Sequence, residues 1–579
     1  MKKYLLQLTI LLSIKLFSQD SIALVKQYNN FFFPTDHHSL CEYSPTQLLH
    51  AGMTPGGFGG TNIWQTNGTA VGTNTFLATT NPISGYNPSA IVKVLGKIFF
   101  VNTYNSNKFL YSSDGTPGGT IALCKLGSTT TFQYPEKFII EPKVANGKLF
   151  FAKDSSATGI ELWATDGTIG GTSMVKDILP GSFGAVNSAY SAILNNKLYF
   201  VANDGTNGDE LWVTDGTTAN TQMVYDLHTG GNASTYFNAD FFIHNNNLYF
   251  TATVSGFQYG LYKTDGTIGV MPTLESGNLT LTSQAVVHQN AIYFGATTYT
   301  PTIFSPSGDL YSISSSTPNI VSDVTYTVTS DNIKGVKGIL GSTNNNLYLA
   351  VETQNLGVEL WHYSTTTNTV NLLKDIATGT LSGVALSNYT YDNLFTNKKT
   401  TIGDKLVFVA QSYSTGVTSG NGSHQEEIWT SDGTITGTNK AITPLILSNF
   451  SDYAYTSMKN FNGDVYFYGS FYNSSSSGAT LWKLKTGIIN VGVNEYTYKQ
   501  IPFTLYPNPA KEILNIKLEI SNEEKTTISI SNILGEVIGS SVVENSNNCS
   551  INTANLTSGV YFVTVSNQGK QSTKKLIIE

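Results

Sequence analysis

The phrase ELWATDGTIGGT at residues 161–172 returns along most of the chain, and that recurrence limits the possible folds more than any other feature. It comes back as ELWVTDGTTANT from Glu210, GLYKTDGTIG from Gly260 and EIWTSDGTITGT from Glu427, and in worn form from Asn62, Phe109, Asp309, Glu359 and Thr480. The nine aromatic centres are Trp64, Tyr111, Trp163, Trp212, Tyr262, Tyr311, Trp361, Trp429 and Trp482, so successive steps are 47, 52, 49, 50, 49, 50, 68 and 53 residues. All six tryptophans of the chain occupy this one slot. A period near fifty residues describes supersecondary units that stack on one another, not a single conventional core.

A second phrase precedes the aromatic centre in most units: KIFF at Lys97, KLFF at Lys148, KLYF at Lys197, NLYF at Asn247, AIYF at Ala291, NLYL at Asn346, KLVF at Lys405 and VYFY at Val465. These runs are β-branched and aromatic, bounded by Asn and Gly, and too short for helices, which predicts strands. Successive side chains of a strand face opposite ways, so Leu198 with Phe200 and Tyr199 with Val201 put apolar groups on both faces, and both faces need covering. Asp215 and Gly216 then supply a turn, Asp by bonding local backbone and Gly by tolerating positive φ. Four short antiparallel strands per unit, apolar on both sides, predict the blade of a β-propeller. The copies count nine four-stranded blades, or eight if one end copy is not a full blade. An open β-solenoid fits less well, because its coils are usually shorter and its strands parallel. Losing a repeat Trp side chain is expected to cost about 3–5 kcal/mol.

The repeats occupy residues 40–490. Before them, residues 1–19 carry Lys2 and Lys3, an apolar core and a short polar exit, which predicts a secretory signal peptide. After them, from Phe503, the texture changes to short alternating strands without the DGT phrase, which predicts a small Ig-like β-sandwich over 503–579. Longer insertions lie at 297–307, 379–392, 411–426 and 472–478. Strands reverse at each turn, so these insertions share the face of the ring opposite the DGT turns. Loops on a rigid scaffold usually carry function, which makes that face the expected binding surface.

With 32 basic against 39 acidic residues and no basic block, the chain lacks the clustered cations that nucleic-acid binding requires. Cys41, Cys124 and Cys549 are too few for a disulfide framework and are expected as separate thiols. No stretch after the N-terminal segment is apolar for long enough to span a bilayer.

Two resemblances follow from these residues. The ELWxTDGTxxGT phrase, with KDILPGSFG at Lys176 and NGKLFF at Asn146, resembles the bacterial repeat proteins named for an ELWxxDGT motif, a name that implies no activity. The tail resembles the type A C-terminal sorting domain of the Bacteroidetes type IX secretion system. Tyr506, Pro507, Asn508, Pro509 and Ala510 match its opening, Leu534 and Gly535 its central turn, Leu556, Ser558, Gly559, Val560 and Tyr561 its LxSGVY segment, and Lys574 and Lys575 its basic end. The resemblance implies export by the type IX machinery, removal of the tail, and release or attachment to surface lipopolysaccharide.

Catalytic signatures such as HExxH, GxSxG, a Walker loop or paired CxxC are absent from the sequence, so no catalytic residue is assigned. His37 and His38 are adjacent and would point apart in a strand. Asp204, Asp209 and Glu210, in DGTNGDE, are the candidate metal ligands, with calcium as the cation, but a turn explains the same residues. The repeated Glu161, Glu210, Glu359 and Glu427 are expected to bond neighbouring loops, since one active site needs a particular carboxylate pair and not a copy per blade. The expected function is a secreted or surface-displayed adhesion module for a glycan or surface protein. The alternative is a polysaccharide-active enzyme with its site on the loop face or in the channel.

Overall fold

The computed structural model is built of strands and turns. It describes residues 21–27, 40–53, 61–77, 86–104, 106–128, 142–186, 190–227, 241–254, 258–277, 279–281, 283–289, 291–298, 309–314, 325–326, 333–384, 398–413, 424–441, 458–469, 480–485, 503–518, 526–532, 537–543, 547–567 and 570–579. Residues 1–19, where a signal peptide is expected, lie outside these residues, as do His37, His38, Leu534, Gly535 and most of the long insertions. Contacts divide the chain into two units, 1–489 and 490–579.

The first unit is a β-propeller of nine sheets among the described residues. Blade 4 is the clearest: Ser191–Leu194, Lys197–Asn203, Asp209–Thr214 and Gln222–Tyr225 pair in sequence order, all antiparallel. Blades 1, 2, 3, 5 and 8 repeat that order. In blade 6 the first strand is broken into Leu279–Leu281 and Val286–His288, both on Ala291–Thr298, and blade 7 gains a parallel outer strand, Thr325–Tyr326. The first strands of neighbouring blades approach one another, including Met458–Phe461 of blade 9 against Leu40–Ser44 of blade 1, so they line the axis and the ring is closed.

Blade 9 takes its outermost strand from outside the repeats. Ser21–Gln27 pairs antiparallel with Thr480–Lys485, with Ile22 opposite Leu484 and Leu24 opposite Trp482. The propeller therefore begins at Ser21 and not near residue 40, and the two ends of the unit are held in one sheet.

The two repeated phrases are cross-strand partners. Phe100 sits opposite Tyr111, Phe151 opposite Trp163, Phe200 opposite Trp212, Phe250 opposite Tyr262, Phe294 opposite Tyr311, Phe408 opposite Trp429 and Phe467 opposite Trp482. Such opposed pairs are the unit of sheet stabilisation. The alternation expected from KLYF holds: Leu198 and Phe200 pack on blade 3, with Phe150 and Leu162, whereas Tyr199 and Val201 pack on blade 5, with Phe250 and Tyr262. A core of this kind fills every interface of the ring, and the one that joins blades 9, 1 and 2 holds Tyr466, Tyr468, Leu48, Trp64 and Phe100. Burying each of these large side chains contributes roughly 1.5–3 kcal/mol.

Candidate functional site

Three sets of residues compete for a functional role: the repeated polar groups of the ring, the Asp204 loop and the motif of the tail. The DGT turn accounts for its own sequence. In blade 3, Asp166 Oδ1 accepts from Thr168 N at 2.8 Å and Thr168 Oγ1 at 2.7 Å. Thr165 and Thr172 hydroxyls meet at 2.7 Å, and Gly171 N donates to Thr168 Oγ1 at 2.9 Å. Gly167 has φ +84°, and a Cβ on Gly171 would fall 2.1 Å from Asp166 Oδ1. Asp166, Gly167, Thr168 and Gly171 thus each have a conformational reason in this turn, and in blade 4 Asn220 stands at the position of Gly171 with its Nδ2 donating to Asp215 Oδ2 at 2.6 Å. The same bonds hold Asp114, Asp215 and Asp432 in their turns, and Asn67 takes the place of Asp in blade 1. Hydrogen bonding to the Thr hydroxyl and amide holds the carboxyls of Asp114 and Asp166 below the usual range.

Several of these turns also dock on the preceding blade. Lys97 Nζ and Ser112 Oγ donate to Gly167 O at 2.9 and 2.7 Å, Lys148 Nζ donates to Gly216 O at 3.1 Å, and Asn346 Nδ2 donates to Asp432 O at 3.2 Å. In blades 2, 3 and 7 the leading Lys or Asn of the second phrase is thereby a latch for the DGT turn of the next blade, and in blade 4 the Tyr199 hydroxyl donates to Gly266 O at 3.4 Å instead.

The recurring glutamates are buried and turned inward. Glu161 accepts from Ile178 N and Leu179 N, both at 3.2 Å, and Glu210 accepts from Leu227 N at 3.1 Å. Glu359 accepts from Ile376 N at 2.9 Å, Ala377 N at 3.2 Å and Gly383 N at 2.8 Å. Glu427 instead pairs with Lys440. Each of the first three ties down the loop after the outer strand. Burial pushes the Glu161 carboxyl up to about 7 and that of Glu359 up to about 8, against the pull of the backbone donors.

In the DGTNGDE loop, Asp204 Oδ1 accepts from Thr206 N at 2.9 Å and Asn207 N at 2.8 Å, and its Oδ2 accepts from Asn207 Nδ2 at 2.7 Å. Asp209 Oδ1 accepts from Asn203 Nδ2 at 2.9 Å, while Glu210 is directed into its blade. The three oxygen sets serve three different partners. Among the described residues no three His, Cys, Asp or Glu side chains gather in a metal-holding group. Cys41, Cys124 and Cys549 are free thiols, and burial raises Cys41 and Cys124 to about 11.

The second unit is a sandwich. One sheet holds Phe503–Tyr506, Ile513–Leu518 and Asn548–Asn552; the other holds Val537–Val543, Thr526–Ser531, Gly559–Asn567 and Lys570–Ile578 in that order. Their inner faces share a core of Leu514, Ile516, Ile528, Val563, Val565 and Leu576. This is an Ig-like three-on-four arrangement. Its two motif ends converge. Asn508 Nδ2 donates to Lys575 O at 2.8 Å and Asn508 Oδ1 accepts from Ile577 N at 2.9 Å, so one side chain mimics a neighbouring strand. Ala510, buried, extends this: its N donates to Ile577 O at 2.9 Å and its O accepts from Glu579 N at 3.0 Å. The YPNPA segment is a clasp on the final strand, with Tyr506, Pro507 and Pro509 on the surface and both X–Pro bonds cis.

Tyr561 is buried, and its hydroxyl donates to Thr557 O at 2.8 Å, the tyrosine corner of Ig-like folds. Gly559 opens that strand and Val560 faces outward. Lys574 Nζ lies 5.2 Å from the centre of the Phe503 ring, and Lys575 is exposed. The LxSGVY letters gave a signal for the corner, but nothing in the sequence alone announced that the clasp closes on the basic segment.

The fold defines a nine-bladed propeller followed by an Ig-like sandwich. Residues 504–579 match the family of the secretion system C-terminal sorting domain. No curated protein matches the chain. Solved structures similar to it include puromycin hydrolase, at 11% identity and TM-score 0.33 over 78% of this chain and 62% of that one. Others are the β-propeller domain of the Trilobed protease from Pyrococcus furiosus, at 8% and 0.29 over 60% and 92%, and BamB from Moraxella catarrhalis, at 12% and 0.30 over 76% and 94%. The chain spans less than two thirds of the puromycin hydrolase structure. The sorting domain implies export to the cell exterior and engagement of a secretion machinery. Among the described residues no helix is long and apolar enough to cross a membrane.

Proposed function

We propose that the propeller is a binding module, delivered by the type IX machinery of a Bacteroidetes cell to its outer surface or medium, where it recognises a glycan or a surface protein. The observation that supports a binding role over a catalytic one is the employment of Glu161, Glu210 and Glu359 as buried acceptors for backbone N–H groups, which leaves the repeated carboxylates no part in acid–base chemistry. The sandwich is the address, and its clasped final strand is the surface that the machinery grips. The test uses the exported chain on glycan arrays and in cell-surface pull-downs, alongside a screen for reducing ends released from polysaccharides. Retention without release supports the binding module. Release of reducing ends would replace it with a polysaccharide-active enzyme.

A further inference from the structure

The first strands of the nine blades line the axis, and the charge they carry is nearly all of one sign. Leu40–Ser44, Tyr86–Val94, Lys143–Ala145, Ser191–Leu194, Phe242–His244, the broken pair Leu279–Leu281 and Val286–His288, Ile333–Ser342, Lys399–Ile402 and Met458–Phe461 hold six lysines. These are Lys93, Lys143, Lys334, Lys337, Lys399 and Lys459, and the one carboxylate among the same strands is Glu42. The whole chain has the opposite balance, with 32 basic and 39 acidic residues. One or two lysines per blade make no basic run in the sequence, but closing the ring gathers them from blades 7, 8, 9, 2 and 3.

Their heads stay at the axial side of the blades. In each blade that carries one, the first strand is the edge of its sheet, so a first-strand carbonyl that accepts from a neighbouring blade lies on the side away from the second strand. Lys93, exposed, donates its Nζ to Tyr43 O of blade 1 at 2.6 Å and lies 4.5 Å from the centre of the Tyr43 ring. Lys399 Nζ donates in the same way to Ile339 O of blade 7. An ammonium has three N–H donors, and a carbonyl takes up one without cancelling the charge. Half-buried Lys459 approaches blade 1 from blade 9: against the burial that raises the Cys41 thiol, the charges of Lys459 and Lys93 both pull it down. Lys334 and Lys337 share Glu352 at 2.9 and 2.7 Å, two positive charges on one carboxylate.

Like charges held on low-dielectric walls focus their field, so this arc of the axis draws in anions. The opposite arc differs. The first strands of blades 4, 5 and 6 carry no lysine or carboxylate and offer half-buried Ile193, Phe242 and Ile243. A ligand that suits both arcs bears anions on a body with apolar faces. Every basic residue of the chain is lysine, so the guanidinium fork suited to phosphates and nucleic acid is missing. A uronic acid ring, with one carboxylate and a C–H face, matches both arcs.

We propose that the axis of the propeller is a binding site for an acidic glycan, whose carboxylates meet Lys93 and Lys459 and whose sugar C–H faces lie toward blades 4 to 6. The inference rests on the binding reading above and names its ligand class and place.

The test is binding of the full exported chain to hexagalacturonate and cellohexaose, at about 50 and 200 mM salt, where surface charges are screened to different extents. The double variant Lys93→Gln, Lys459→Gln keeps a donor at each position and removes both charges. It is expected to weaken hexagalacturonate binding at least about 10-fold, the size of one hydrogen bond to a charged group, with the circular dichroism of the parent. Lys125→Gln, an exposed lysine on the outer strand of blade 2, removes charge away from the axis and is expected to leave binding unchanged. Hexagalacturonate binding that weakens with salt and is lost selectively in the double variant supports the site. Binding that ignores salt, or that falls equally in the double variant and in Lys125→Gln, overturns it. Exclusive retention of cellohexaose or of a surface protein also overturns it while the binding module stands, and retention of no oligosaccharide and no surface protein overturns both.

Discussion

Glu359 offers the sharpest test of how the blades hold their loops. Its two carboxyl oxygens accept three backbone N–H groups, from Ile376, Ala377 and Gly383, inside a fully buried site. Glu359→Gln preserves size but supplies one oxygen. With that oxygen facing Ala377 and Gly383, the new amide N–H₂ confronts the N–H of Ile376, donor against donor. A buried donor left unmet costs about 1–3 kcal/mol, which converts to roughly 5- to 150-fold faster local opening. Hydrogen exchange of peptides covering 374–384 reads this directly, because loop opening is local and need not involve the ring. The pH dependence has a defined sign. Burial raises the folded carboxyl to about 8 from its ordinary 4.5, so the folded state holds the proton more tightly than the unfolded one. The stabilisation is therefore complete below about pH 4.5 and is lost as pH rises through about 8. The gap between parent and variant is expected to be widest at pH 5 and to narrow toward pH 8. Equal exchange rates in 374–384 for the two proteins at pH 5 would refute the tether.

Other consequences are as specific. Gly171→Ala sets a methyl 2.1 Å from Asp166 Oδ1 and is expected to destabilise the turn by about 1–3 kcal/mol, whereas Gly170→Ala, with no atom within 4 Å, leaves the thermal midpoint unchanged. Acid weakens the DGT turns: Asp166 is held low when folded, so its stabilisation is present above the ordinary carboxyl range and is lost as pH falls through the lowered value. Asp166→Asn, which copies Asn67 of blade 1, keeps the turn and removes that acid dependence in a thermal titration. Asn508→Ala unclasps the final strand and is expected to cost the sandwich about 1–3 kcal/mol and to leave the chain unexported; normal amounts in the medium would show that the machinery does not need the clasp.

Much of this is legible in the sequence, because repetition multiplies each signal. Nine aromatic centres gave nine blades, and the alternation in KLYF gave two buried faces. The repeated glutamates were readable as structural for the same reason, although their partners, amides 17 residues onward, were not. What escaped was whatever broke the repeat or spanned it. SIALVKQ carries no phrase of the repeat, so its pairing with a strand some 460 residues later had no local signature. The binding face expected from the insertions at 297–307, 379–392, 411–426 and 472–478 falls largely outside the described residues.

The central claim is a closed ring of nine blades whose last sheet is completed by Ser21–Gln27. Electron-microscopic class averages of the exported chain, viewed down the axis, measure it most directly. Nine lobes around a continuous ring are the expected image; eight lobes, or an arc with a gap between its first and last blades, would contradict it.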